Sequence, residues 1–95
     1  MTAYWMTRVN VTDPDEYGKY AELAGPAIEK YGGTFLARGG KTVSLEGEEY
    51  ARNVVIQFDS LEQAVACYNS PEYRKALEHS AKSSVRNLCI VEGLE

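Results

Sequence analysis

One segment constrains this chain more than any other. Residues 3–11, Ala-Tyr-Trp-Met-Thr-Arg-Val-Asn-Val, are dominated by aromatic and β-branched side chains and read as a β-strand. Strand side chains alternate between faces, so Tyr4, Met6 and Arg8 point one way and Ala3, Trp5, Thr7 and Val9 the other. Large apolar groups therefore stand on both sides. Such a strand has to be covered, at least in part, on both faces.

Helix-start signals follow. Asp13-Pro14-Asp15-Glu16 is a capping box of D-x-x-E form, with proline at the first helical position and acids at the positive end of the dipole. Tyr17, Tyr20, Ala24, Ala27, Ile28 and Tyr31 then recur on one helical face. Pro26 after Gly25 predicts a kink or break, and Gly32-Gly33 predicts the helix end. Residues 34–36 and 41–45 read as strand segments around Arg38-Gly39-Gly40, where the glycines predict a bulge, a sharp bend or a close backbone approach. Glu46-Gly47-Glu48-Glu49 is a solvated turn, and Arg52 after it is expected to pair with its acids. Residues 53–58 form a third strand, with Val54, Ile56 and Phe58 on one face. Ser60-Leu61-Glu62-Gln63 caps a second helix whose inner face is Leu61, Ala64, Val65 and Tyr68. Ser70-Pro71-Glu72 starts another short one, with Tyr73, Ala76 and Leu77 inward, and residues 86–91 form the last strand.

The order is β-α-β-β-α-β with the second helix split: an α+β, ferredoxin-like fold over a single domain, residues 1–95. Helices cover one face of its four-stranded antiparallel sheet. The other face is a mixed apolar patch, which predicts a homodimer through the open sheet face, closing a barrel.

Fourteen acidic against ten basic residues leave a net charge of −4. That balance argues against nucleic acid as a partner and against an anionic membrane. No apolar run is long enough to span a bilayer and no secretory segment is recognisable, so a cytoplasmic protein is expected. Cys67 and Cys89 are accordingly expected to be reduced thiols packed as small hydrophobes. His79 is the only histidine, and no C-x-x-C, phosphate-loop, dinucleotide, zincin or serine-hydrolase motif occurs. No metal or cofactor is expected.

Several stretches together resemble the domain of unknown function 1330 family, small proteins of the dimeric α+β-barrel class. They are Tyr31-Gly32-Gly33-Thr34-Phe35-Leu36-Ala37-Arg38-Gly39-Gly40, Leu45-Glu46-Gly47, Arg52-Asn53-Val54-Val55-Ile56-Gln57-Phe58, Cys67-Tyr68-Asn69-Ser70-Pro71-Glu72-Tyr73 and Ile90-Val91-Glu92-Gly93. The resemblance covers nearly the whole chain and implies the same fold and dimer. Members often carry an arginine in the helix after the Ser-Pro-Glu-Tyr stretch, where this chain has Ser80 beside His79. Relatives of the barrel class include cofactor-independent monooxygenases and isomerases, but a fold does not transfer chemistry.

The class places a pocket between helices and sheet. Seven tyrosines, two phenylalanines and one tryptophan are many rings for 95 residues. Tyr17, Tyr20, Tyr68 and Tyr73, with Tyr4 or Trp5 from the sheet, are the expected lining, suited to a hydrophobic or aromatic small molecule. Arg38 is the expected clamp for an anionic group, with Gly39 and Gly40 letting a ligand approach the backbone. His79 is the expected proton carrier. The bland alternatives are core rings, a structural salt bridge and an exposed helix end. They describe a non-catalytic dimeric interaction or stress-associated module with a filled core.

Overall fold

The computed structural model describes residues 1–95. The elements are β1 (Ala3–Val11), α1 (Pro14–Lys30), β2 (Thr34–Arg38), β3 (Arg52–Phe58), α2 (Leu61–Tyr68), α3 (Pro71–Ser83) and β4 (Ser84–Glu92). All strand pairs are antiparallel in the order β2-β3-β1-β4, the ferredoxin-like sheet, with the helices on one face. Each helix starts where its cap residue predicts. Asp13, Ser60 and Ser70 accept from the backbone N–H of Glu16, Gln63 and Tyr73 at 3.3, 3.1 and 3.1 Å. α1 ends in a Schellman closure, Gly33 N–H to Ile28 C=O and Gly32 N–H to Glu29 C=O, with Gly32 at φ +85°.

β1 alternates as read. Ala3, Trp5, Thr7 and Val9 are buried under the helices, while Tyr4, Met6 and Arg8 face the open side. Under α2 and α3 the core is closed. Trp5 stacks on Phe58 at 5.8 Å and meets the edge of Tyr73 at 5.1 Å, and Ala64, Cys67 and Ala76 are fully buried around them. The Trp5 indole N–H donates to Thr7 Oγ1 at 2.8 Å, which satisfies the one polar atom of that ring.

Three expectations are corrected. Pro26 does not break α1, which runs from Pro14 to Lys30. Pro26 itself is exposed, while burial of Ala24, Ala27 and Ile28 and the Schellman closure hold the last turns. Residues 41–45 form no strand. Gly39, at φ +69°, makes the last rung to β3 through its N–H to Asn53 C=O and turns the chain away, leaving Val43 and Leu45 more than 80% exposed. The segment returns onto Asn10, which bonds the Glu49 carbonyl and the Ala51 N–H at 2.9 Å each. Of the two cysteines, only Cys67 is core filler, and burial pushes its thiol up to about 11. Cys89 stands opposite Met6 on the open face and is exposed, because its position in β4 has the parity of that face.

Candidate functional site

α1 packs chiefly against α3 and only sparsely against the sheet. Between the large residues Tyr17, Tyr20 and Ile28, α1 turns three small ones, Ala21, Ala24 and Gly25, toward the sheet. A cavity of about 60 Å³ is left between α1 and the sheet. Tyr17, Tyr20, Phe35, Arg38, Arg52 and Trp5 are among its walls. Exposed Ala21 and Arg38 mark its mouth.

Arg38 reaches this wall because of a bulge. Phe35 pairs with Ile56, and Ala37 pairs with Val55, so Leu36 is an extra residue on β2. Strict alternation would turn Arg38 to the face opposite Phe35. The bulge restores it to Phe35's face, where its guanidinium lies 4.2 Å from the Phe35 ring centroid.

Two further arginines share that face. Arg52 and Arg86 both pair with Val9, from β3 and β4 respectively, so they flank it in one row across the sheet. Arg52 does not pair with the acidic turn. Its guanidinium occupies the place a Cβ on Gly39 would take, 2.5 Å from Nη1. Gly39 therefore makes room for Arg52. Arg86 lies 5.1 Å over the Tyr20 ring and donates from Nη2 to the Tyr73 hydroxyl at 2.8 Å. The salt bridges of the chain are Lys19–Glu16, Lys30–Glu72 and His79–Glu16, and none uses Arg38, Arg52 or Arg86. Arg52 Nε and Arg86 Nη1 are buried without a hydrogen-bond partner. Unmet buried donors of this kind are rare and need a cause.

Arg52 and Arg86 were legible from parity. Arg52 is in step with Val54, Ile56 and Phe58, and Arg86 with Leu88 and Ile90, so each is a charge on an otherwise inward stripe.

The expected tyrosines divide. Tyr17 and Tyr20 line the cavity with rings 5.0 Å apart. Burial, and then Tyr20, raise the Tyr17 hydroxyl above its ordinary value, while Arg86 and Arg52 pull it back. Tyr73 is fully buried outside the cavity, its hydroxyl 2.8 Å from that of Tyr20. Burial and Tyr20 raise it strongly. Burial opposes the Arg86 charge, but the Tyr20 and Tyr73 oxygens outweigh that and raise its pKa. Tyr68 lies on the far side of Tyr73, under the Arg74 guanidinium at 5.0 Å, and Tyr4 is on the open face, bonded to Glu95.

His79 stands apart from the cavity, where α3 crosses the start of α1. Its Nδ1 is 2.6 Å from Glu16 Oε2. That hydrogen bond is the main reason the Glu16 carboxyl sits below its ordinary value. No group of three or more His, Cys, Asp or Glu side chains is placed to hold a metal ion, and no helix is long and apolar enough to cross a membrane.

A search of the curated proteins found no match. Among solved structures, the chain is similar to the RPA0582 protein of unknown function from Rhodopseudomonas palustris. Identity is 19% and the TM-score 0.82, over 99% of this chain and 83% of that one. It is similar to SnoaB, a cofactor-independent oxygenase from Streptomyces nogalater, at 12% identity and TM-score 0.67, covering 99% and 94%. It is also similar to a dimeric protein of unknown function with a ferredoxin-like fold from Bacteroides fragilis, at 14% identity and TM-score 0.66, covering 97% and 96%. These likenesses establish the fold. Residues 2–94 match the family described as Domain of unknown function (DUF1330), and the chain belongs to that family.

Proposed function

We propose that the protein is a homodimer that binds a small organic anion, a carboxylate on an apolar or aromatic body, in the cavity under α1. One observation carries the reading: Arg38 and Arg52 line the cavity with no carboxylate paired to either, the buried Arg52 Nε is unpartnered, and Arg86 adds its charge over the Tyr20 ring. A guanidinium matches a carboxylate in two parallel hydrogen bonds. The cavity of about 60 Å³ is open at its mouth and small for a whole aromatic acid, so it takes the ligand's charged head. The body then lies across the mouth, against Phe35 and Arg38.

A dimer through the open face is supported by the dimeric relatives. Its composition supports it too: Met6, Val85 and Val91 are 38, 57 and 48% exposed.

The filled, non-catalytic module draws on a specific observation of its own. The cavity is small and Tyr68, Tyr73 and Trp5 are in mutual ring contact. That reading leaves the unpartnered arginine nitrogens without a cause.

The test is calorimetry with benzoate and its neutral isostere benzamide. Benzoate should bind and benzamide should not. Arg52→Gln, in a folded protein, should weaken benzoate about tenfold, as loss of a charged hydrogen bond does. Equal binding of the two compounds, or no binding of either, overturns the anion site. For the dimer, light scattering should give twice the chain mass, and Cys89 should label slowly with a thiol reagent at high protein concentration and faster on dilution. A single-chain mass at micromolar concentration overturns it.

A further inference from the structure

Hydrogen-bond direction can be read along Arg86, Tyr73 and Tyr20. A guanidinium only donates, so the Tyr73 oxygen accepts from Arg86 Nη2 at 2.8 Å. The Tyr73 hydroxyl has one other neighbour, the Tyr20 hydroxyl at 2.8 Å, and Tyr73 is fully buried. If Tyr20 donated to Tyr73, the Tyr73 hydrogen would have no acceptor and no water, and an unpaired buried donor carries the full cost of desolvation. If Tyr73 donates to Tyr20, both of its functions are satisfied. Tyr20 then accepts, and its own hydrogen is left without an acceptor in the protein. The Tyr20 side chain forms part of the cavity wall.

We propose that Tyr20 presents this hydrogen to the cavity as the donor for an anionic ligand oxygen, so that the site takes phenolates or enolates as well as carboxylates. The proposal rests on the organic-anion reading above and adds a second recognition group to it. The donor is stronger than a lone tyrosine, because a chain that begins at a charged guanidinium polarises each hydroxyl along it. The field is right for an anion: Arg38 and Arg52 are on the same wall and Arg86 lies over the Tyr20 ring. Burial raises a phenol in this cavity, as it does Tyr17, and the arginines alone only reduce that rise; a phenol whose oxygen also accepts directly from Tyr20 gains the further stabilisation that should make it ionise more readily than in water. Tyr20 is placed to bind and hold the oxyanion. A proton-transfer step would need a base in the cavity, and His79 is engaged with Glu16 elsewhere.

The experiment uses 4-nitrophenol, whose phenolate has its own visible absorption, with benzoate as the reference ligand. The ionisation midpoint of protein-bound nitrophenol should lie about one pH unit or more below that of the free compound, the signature of a donor favouring the anion. Tyr20→Phe should remove most of that shift and weaken nitrophenolate about tenfold. Tyr73→Phe interrupts the chain while leaving the Tyr20 hydroxyl in place, and should remove about half the shift. It decides the matter if Tyr20→Phe does not fold. An unchanged midpoint in a folded Tyr20→Phe or Tyr73→Phe protein overturns the proposal. Benzoate binding without nitrophenol binding overturns it and leaves the anion site standing. Binding of neither overturns both.

Discussion

The helical layer lies over the sheet in two halves that differ in kind. Under α2 and α3 the space is filled by Trp5, Phe58, Tyr73 and three fully buried small residues. Under α1 the same sheet carries arginines, the helix sets alanine and glycine between its tyrosines and Ile28, and a cavity remains. Tyrosine occurs in both halves and does different work in each. Tyr73 fills and fastens, while Tyr20, one hydrogen bond away, lines the cavity. Residue type alone therefore does not separate core from site. What separates them is whether each polar group finds its partner inside the protein.

That contrast can be broken by mutation. Phe58→Ala, on the filled side, should cost about 3–5 kcal/mol, as large-to-small changes in closed cores do, whereas Phe35→Ala at the cavity rim should cost less than about 1.5 kcal/mol. Urea denaturation of both measures the difference, and equal losses would erase the distinction between the halves. The converse change is a small residue made larger. Ala76→Val, at a site with no exposed surface, should destabilise by about 1–3 kcal/mol. Gly25→Ala adds a methyl that meets nothing within 4 Å beyond its chain neighbours, and because Pro26 disfavours helical backbone in a preceding non-glycine residue the gain in α1 should be held to about 0–0.5 kcal/mol. A destabilising Gly25→Ala would mean that the half under α1 is already full.

The smallest effect sharpens the seam between α1 and α3. The folded Glu16 carboxyl lies below its ordinary value of 4.5, mainly through His79. Stability from that depressed group is complete above 4.5 and is lost as pH falls through the lower folded value. The urea midpoint of the wild type should therefore exceed that of Glu16→Gln at pH 6, and the two should converge toward pH 3. Parallel curves down to pH 3 would remove the His79–Glu16 contact from the account of the seam.

Much of the fold was legible because its signals are local. Capping boxes fix helix starts within four residues, and parity sorts Trp5 from Tyr4 without any knowledge of the partner strand. The failures share a different cause. Pro26 was overruled by burial of its neighbours, and residues 41–45 lack a strand edge that only the assembled sheet could supply. The site was half visible. Tyr17, Tyr20 and Arg38 are recognisable as types, but the bulge at Leu36 has no residue signature of its own. The His79–Glu16 contact joins residues 63 apart in the chain. Arg52 and Arg86 announce themselves by parity, yet only the three-dimensional arrangement reveals that Arg52 Nε and Arg86 Nη1 find no hydrogen-bond partner inside the protein.

The bulge in β2 has one more consequence. Deleting a single residue between Phe35 and Arg38 would leave the cavity's other walls untouched and carry Arg38 to the opposite surface of the sheet. Strand length there decides which surface of the sheet carries the charge: natural insertions and deletions at this point would take Arg38 out of the cavity wall and set a positive charge on the open face, without substituting any other residue of the wall.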